Sequence, residues 1–408
     1  HKLSNYSKLK KYHYLLKKGY IKTNYISHQN IFESFDKVFR ISRITNFKQN
    51  FYIFLYKLFN YICSLKIRNN KLSTIHYWIP LSNSKDVIDH RSKYFLSTKL
   101  IKNQINLVRT NSLFSSLYLL FSVPNIIFLN GFQKINSFHE IKMLNNLKNK
   151  CLFYEKNERA ISKNLQKFLV KKNIKKLICI DDYRIIQTLL DASIQLKIRT
   201  VAYQHGRFHE FQLGLKGKTF DEYVVWSKFF KKKIIKINRN YNQKKIKILN
   251  FRFKKLKSKE NTDNLLYLCE QKIPINQIIK DIKLICKHIP NKKVFIRLRS
   301  TLNYPENFIN FLNSKKIVIL KENSFYDVVN KNNIKYLIAY YSTALLEASL
   351  YNVFPIMLTN NNFYLKDYLK EKTVFELQQL GRLKILKNQL NTKKGKNKLE
   401  KIKRKIWY

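Results

Sequence analysis

The chain reads as two doubly wound α/β domains, and three observations predict this. From Lys175 onward, short apolar strands alternate with amphipathic helices in units of roughly 25 residues. One charged stretch poor in apolar residues, Asn250 to Asp263, interrupts the alternation, and the pattern then restarts. The 408 residues are too many for one core and suit two domains of ordinary size.

The elements follow in order. Lys175 to Ile180 is an apolar strand ended by Asp181-Asp182. Ile185, Ile186, Leu189, Leu190 and Ile194 form a helical stripe. Arg199 to Tyr203 is the next strand, followed by Gln204-His205-Gly206 and a polar loop. Glu222 to Trp226 is a strand, Ser227 is placed to cap the helix after it, and Ile246 to Leu249 is a short strand. Beyond the boundary, strands are expected at 264–269, 294–298, 317–320, 336–339 and 353–358. Helices are expected at 274–287, 305–312 and 344–351. The expected organisation is a first domain over 1–250, a second over 263–387, and a basic tail over 388–408 forming a frayed or surface helix. In such sheets ligands bind beyond the carboxyl ends of the strands, so two such domains are expected to face a cleft.

Before Lys175 the order is less regular. Residues 1–75 are basic, aromatic and helical, with Phe51, Phe54, Leu55, Leu58, Phe59 and Ile62 at helical spacing. That stripe is expected to pack on the first domain, with a membrane-facing role as the alternative. Thr110 to Gln133 carries no charge and is long enough to cross a bilayer. Pro124-Asn125 interrupts it, so it reads as a buried helix (113–121) and a strand (125–129).

The formal net charge is +55. Abundant Lys, Asn, Ile, Tyr and Phe beside scarce Gly, Pro and Met is the bias of an AT-rich coding sequence, which explains much of that charge. The surface should still bind polyanions in a salt-dependent way. The five cysteines form no CxxC pair, which argues against zinc ribbons and redox dithiols and suits a reducing cytoplasm. Cys179 and Cys269 fall in strands and are expected to be buried. No P-loop, GxGxxG or GxSxG occurs.

Two places can carry chemistry. Ser342-Thr343 opens a helix, where unpaired amides and the dipole favour an anion, and Glu347 lies one turn later, placed to take ribose hydroxyls. A plain helix cap is the bland alternative. His205 stands in a glycine-containing loop, where a base or a phosphate contact is equally open to it. His205 and His209 are four apart, but Gly206 argues for a loop and no third metal ligand stands out besides Glu210. Asp182, with Asp181, ends a strand and is a candidate acid/base residue of the acceptor side.

The runs "IKKLICIDDYRIIQTLLDASIQLKIRTVAYQHG" and "YLIAYYSTALLEASLYNVFPIML" resemble GT-B-fold glycosyltransferases of bacterial surface polysaccharide synthesis, capsule and lipopolysaccharide enzymes among them, and the related teichoic-acid glycerophosphate transferases. The resemblance spans Lys175 to Leu358 and includes Asp221 to Ser227, which follows the "QHG". It implies a cleft histidine at His205, with Gln204 and Gly206 at the substrate. It implies donor phosphate at Ser342 and Thr343, and ribose at Glu347. The donor would be a nucleotide-sugar and the acceptor a glycan or lipid-linked chain. No cofactor is implied, and no metal is needed if amides and basic side chains neutralise the diphosphate. The enzyme would be cytoplasmic, peripheral at the inner face of the plasma membrane and in contact with anionic lipid. Where relatives carry His-Pro, this chain has Arg297 and Arg299, either of which can clamp phosphate. The competing class is a non-catalytic polyanion binder. Its basic and aromatic residues are spread along the chain rather than gathered in a nucleic-acid module, so nucleic acid is the weaker partner.

Overall fold

Strands rich in Ile, Leu, Val and aromatics, with almost no polar alternation, are suited to burial on both faces, and parallel sheets bury both. A computed structural model shows that arrangement twice. It describes residues 44–67, 72–78, 103–110, 113–133, 147–179, 186–204, 206–208, 215, 218–249, 262–270, 273–289, 293–299, 303–320, 325–360 and 366–408. His205, His209, Glu210, Asp181 and Asp182 lie outside the described residues.

The chain divides into two units, one of residues 1–225 and 231–248, the other of 226–230 and 249–408. In the first, helix α1 (Ile44–Lys66) precedes β1 (Thr74–Trp78), β2 (Ile105–Val108), α2 (Leu113–Ser122) and β3 (Ile126–Phe128). Then come α3 (Leu147–Lys171), β4 (Lys176–Cys179), α4 (Ile186–Gln195), β5 (Arg199–Tyr203), β6 (Glu222–Val225), α5 (Lys228–Ile237) and β7 (Ile246–Ile248). The sheet order is β3-β2-β1-β4-β5-β6-β7, with every pair parallel.

The second unit holds β8 (Asn264–Leu268), α6 (Ile275–His288), β9 (Val294–Arg297), α7 (Glu306–Ser314), β10 (Val318–Leu320), α8 (Phe325–Asn332) and β11 (Ile334–Ala339). It continues with α9 (Ala344–Leu350), β12 (Phe354–Leu358), α10 (Lys366–Lys370), β13 (Phe375–Leu377), α11 (Leu383–Asn391) and α12 (Lys393–Trp407). Its order, β10-β9-β8-β11-β12-β13, is again all parallel. Both sheets reverse direction of growth at their first-formed strand, which is the doubly wound pattern with a switch point between β1 and β4 and between β8 and β11. Cys179 and Cys269 are buried thiols, as expected.

Helices in this chain rarely end on glycine. The first or second residue after the helix takes positive φ at Asn173, Lys197, Lys316, Asn333, Asn352 and Lys372. At Lys197 the chain closes with Ile198 N–H on Ser193 O (2.9 Å) and Lys197 N–H on Ile194 O (3.0 Å). Lys316 and Lys372 repeat this pair of bonds, so they are Schellman ends built on lysine.

Four expectations are corrected. Of the frayed or surface helix expected over 388–408, the frayed option is corrected: Leu399, Ile402, Ile406 and Trp407 of α12 are buried. Trp407 stacks on Trp226 at 6.1 Å and its indole N–H donates to Ser349 Oγ at 3.2 Å. Thr392 caps α12 by accepting the Gly395 N–H at 3.2 Å, and a Cβ at Gly395 would meet Leu390 O at 2.4 Å, so only glycine fits there. Ser227, expected to cap α5, donates its hydroxyl to the Ile406 carbonyl. Thirdly, α1 packs through Ile53, Tyr56 and Cys63, whereas Phe51, Phe54, Leu58 and Ile62 are exposed. Helix α2, expected to be buried, hides only Ser116 and Leu119.

Candidate functional site

In the second unit the carboxyl ends of β8, β9 and β11 carry the polar groups. Cys269 continues β8, its N–H donating to Arg297 O at 3.1 Å, and this brings Glu270 to the switch point. Glu270 is buried, and its carboxylate accepts the N–H of Tyr340 at 2.6 Å and of Tyr341 at 2.9 Å. Those are the first amides beyond β11. The carboxylate thus fixes the turn that delivers Ser342 and Thr343 to the helix start. Tyr368 OH, donating to Ser342 O at 3.0 Å, holds the same turn from the other side.

Under that turn lies Asp281, fully buried on α6. It accepts from Tyr267 OH at 2.8 Å, Tyr340 OH at 2.6 Å and Gln277 Nε2 at 2.8 Å. Burial, then the Asp281 charge, push the Tyr267 phenol well above its ordinary range, so it stays a donor. Neither Glu270 nor Asp281 stood out in the sequence. A lone acid at a strand end, as in Asp181-Asp182, was the only signal for the first, and a lone Asp in an apolar helix face for the second.

At the helix start, Ser342 Oγ accepts the Ala344 N–H at 3.2 Å, while Thr343 makes no side-chain cap bond. Glu347, one turn on, is part-buried. Loss of solvent pushes its carboxyl up to about 7, and Arg297 at the end of β9 pulls the other way. The structure therefore couples two residues the sequence had singled out separately. Arg299 is exposed and lies beyond the strand, its N–H donating to Tyr304 OH at 3.0 Å. The two arginines do not extend from β9 as a matched pair.

In the first unit the "QHG" segment follows β5, as expected. Gln204 is fully buried, its N–H extends the ladder to Val224 O at 2.9 Å, and its amide Nε2 donates to Gly206 O at 2.7 Å. Gln204 Nε2 thus ties the end of β5 to Gly206. Asp221 accepts from Thr200 N–H at 2.8 Å and Thr200 Oγ1 at 2.9 Å, locking the start of β6 to β5. Phe208 packs edge-on against Tyr223 at 5.7 Å behind the loop. Among the described residues, no cluster of His, Cys, Asp and Glu could hold a metal ion.

Two all-parallel sheets of the same winding order suggest a known architecture, and the solved structures supply it. A glycotransferase of kitacinnamycin aligns over 82% of this chain and 95% of its own, with a TM-score of 0.51 and 8% identity. The chain has a GT-B-type fold. A glycosyltransferase from Rickettsia africae is also similar, over 83% and 94% of the two chains at TM-score 0.44 and 14% identity. A UDP-GlcNAc 2-epimerase from Neisseria meningitidis, bound to UDP-GlcNAc, aligns over 82% and 93% at TM-score 0.49 and 10% identity. At these identities the likeness of the GT-B-type chain is one of fold, carried by the kitacinnamycin glycotransferase. No family model and no curated protein matches the sequence.

Proposed function

We propose that this chain is a nucleotide-sugar-dependent transferase that moves a sugar, or a polyol-phosphate unit, onto a cell-surface glycan or lipid-linked acceptor at the inner face of the membrane. The observation that carries the reading is the placement of Arg297 at the end of β9 and of Ser342, Thr343 and Glu347 at the helix start after β11, at the carboxyl end of a doubly wound sheet. In a GT-B-type fold that end of the second unit is the donor side. Arg297 and Arg299 would meet the diphosphate, with the Ser342 and Thr343 hydroxyls as further contacts, and Glu347 would accept the ribose hydroxyls.

For sugar transfer, the acceptor oxygen attacks the anomeric carbon while the bond to the nucleotide phosphate breaks. His205 takes the acceptor proton, and Asp182 is a further candidate acid/base residue of the acceptor side. The nucleoside diphosphate leaves with the electron pair, and fixed positive charge stabilises it. The donor is a substrate, and the basic side chains and amides supply the charge that a metal supplies elsewhere.

The test is turnover. Incubation with a panel of nucleotide-sugars and nucleotide-activated polyols and membrane extract should release one nucleoside diphosphate, or one nucleoside monophosphate where a polyol-phosphate is the unit moved. His205→Ala should lower kcat by about 100-fold to 10,000-fold with KM for the donor little changed. Release of no nucleotide from any donor would overturn the reading, and wild-type turnover in His205→Ala would remove His205 from it.

A further inference from the structure

We infer that helices α1 and α2 form a docking face for an anionic lipid bilayer. Among the described residues, each helix packs on the first unit through one face. In α1 the buried face carries Tyr56, whose hydroxyl bonds Thr110 Oγ1 at 2.7 Å and Ser116 Oγ of α2 at 2.9 Å. Asn60 on the same face pairs with the edge strand β3, donating to Phe128 O at 2.8 Å and accepting Phe128 N–H at 2.7 Å. Gly131 presses against this helix, where a Cβ would meet Tyr56 O at 2.7 Å. Both helices are therefore fixed in orientation.

Their other faces are apolar and exposed. On α1, Phe54 is 57% exposed and Tyr61 63%, within a stripe that includes Phe51, Leu58 and Leu65 at three- and four-residue spacing. On α2, Phe114 is 82% exposed and Phe121 80%. An apolar groove of about 530 Å³ runs from Cys63 and Ile67 to Phe121 and Pro124, joining the two helices at one end. Large apolar side chains exposed in this number on two neighbouring helices mark an interaction surface.

Charge selects the occupant. The sequence has no Asp or Glu between Lys37 and Lys85, nor between His90 and His139, and these stretches contain both helices. Aromatic and aliphatic residues exposed on segments that carry basic residues and no acid suit the headgroup boundary of an anionic leaflet. A second copy of the chain fits worse, because it would bring a like-charged surface of a +55 protein against this one. No helix of the described residues is long and apolar enough to cross a membrane, so the contact is peripheral. The inference rests on the first unit alone and stands whether or not the transferase reading does.

The test uses the full-length protein and vesicles of phosphatidylcholine with and without phosphatidylglycerol. Co-sedimentation should require phosphatidylglycerol. The triple variant Phe54→Ser, Phe114→Ser and Phe121→Ser keeps every charge, and should bind roughly a hundredfold more weakly at an unchanged melting temperature. Equal binding by wild type and variant would mean bulk electrostatic adsorption and would overturn the inference. Should the triple variant fail to fold, Phe114→Trp decides: its emission should be quenched by lipid brominated on the acyl chains. Absence of quenching overturns the proposal, as does a wild-type dimer that this face holds together and vesicles fail to compete with.

Discussion

Glu347 is the residue whose environment says most. Desolvation raises its carboxyl from an ordinary 4.5 to about 7, against the pull of Arg297. Between those two values the folded chain holds a proton that the unfolded chain has released. Its contribution to stability is therefore most favourable below pH 4.5 and is lost as the pH rises through 7. Glu347→Gln has no charge to desolvate. It should be more stable than the wild type at pH 8 by on the order of 1–2 kcal/mol, and equal to it near pH 4. Melting temperatures across that range check this, and a variant equally stable at both ends would mean that the carboxyl is not held neutral. Glu347, Arg297, Ser342 and Thr343 were legible in the sequence because a strand end followed by a hydroxyl-rich helix start is a local pattern. Glu270 and Asp281 were not, because their roles depend on β8, α6 and β11 meeting in space. Gln204 was legible as a loop residue only, since its burial comes from the ladder to β6.

At the scale of the element, helix ends carry the imprint of composition. With 7 glycines in 408 residues, the left-handed positions after α4, α7 and α10 fall to Lys197, Lys316 and Lys372. A lysine there bears a steric cost that glycine avoids. All three side chains are exposed, so nothing else is lost on replacement. Lys197→Gly, Lys316→Gly and Lys372→Gly should each stabilise by about 0.5–1 kcal/mol, while the matching alanine changes should not. Denaturant midpoints of the six variants check the prediction, and destabilisation by glycine would contradict the left-handed assignment. The strands from β4 to β12 were legible because they are unbroken apolar runs between polar turns. Strand β1 was missed, since Thr74 and His76 disguise it, and His76 is tolerated there by staying neutral: burial pushes its imidazole down to about 3. The α1 stripe was read on the wrong face. Apolar residues occupy both faces of that helix, and periodicity alone does not say which one the sheet takes.

At the scale of the whole molecule, two sheets of identical winding order place the polar residues at strand ends, where a doubly wound fold binds ligands. The last helix could not be foreseen from charge. Its lysines sit on one side, while Leu399, Ile402, Ile406 and Trp407 bury the other against the unit that also contains Trp226. The basic composition, read first as a hint of polyanion binding, is spread along the chain, and around α1 and α2 it meets an exposed apolar face. The central claim is that the second unit binds an activated nucleotide at Arg297 and Glu347. The most direct measurement is calorimetric titration of the full-length protein with the uridine, guanosine, cytidine and adenosine diphosphates, beside Arg297→Ala and Glu347→Ala. Binding of one nucleotide by the wild type, weakened at least roughly tenfold in each variant at unchanged stability, is the predicted result. Binding of none of the four, or equal binding by wild type and both variants, would contradict it.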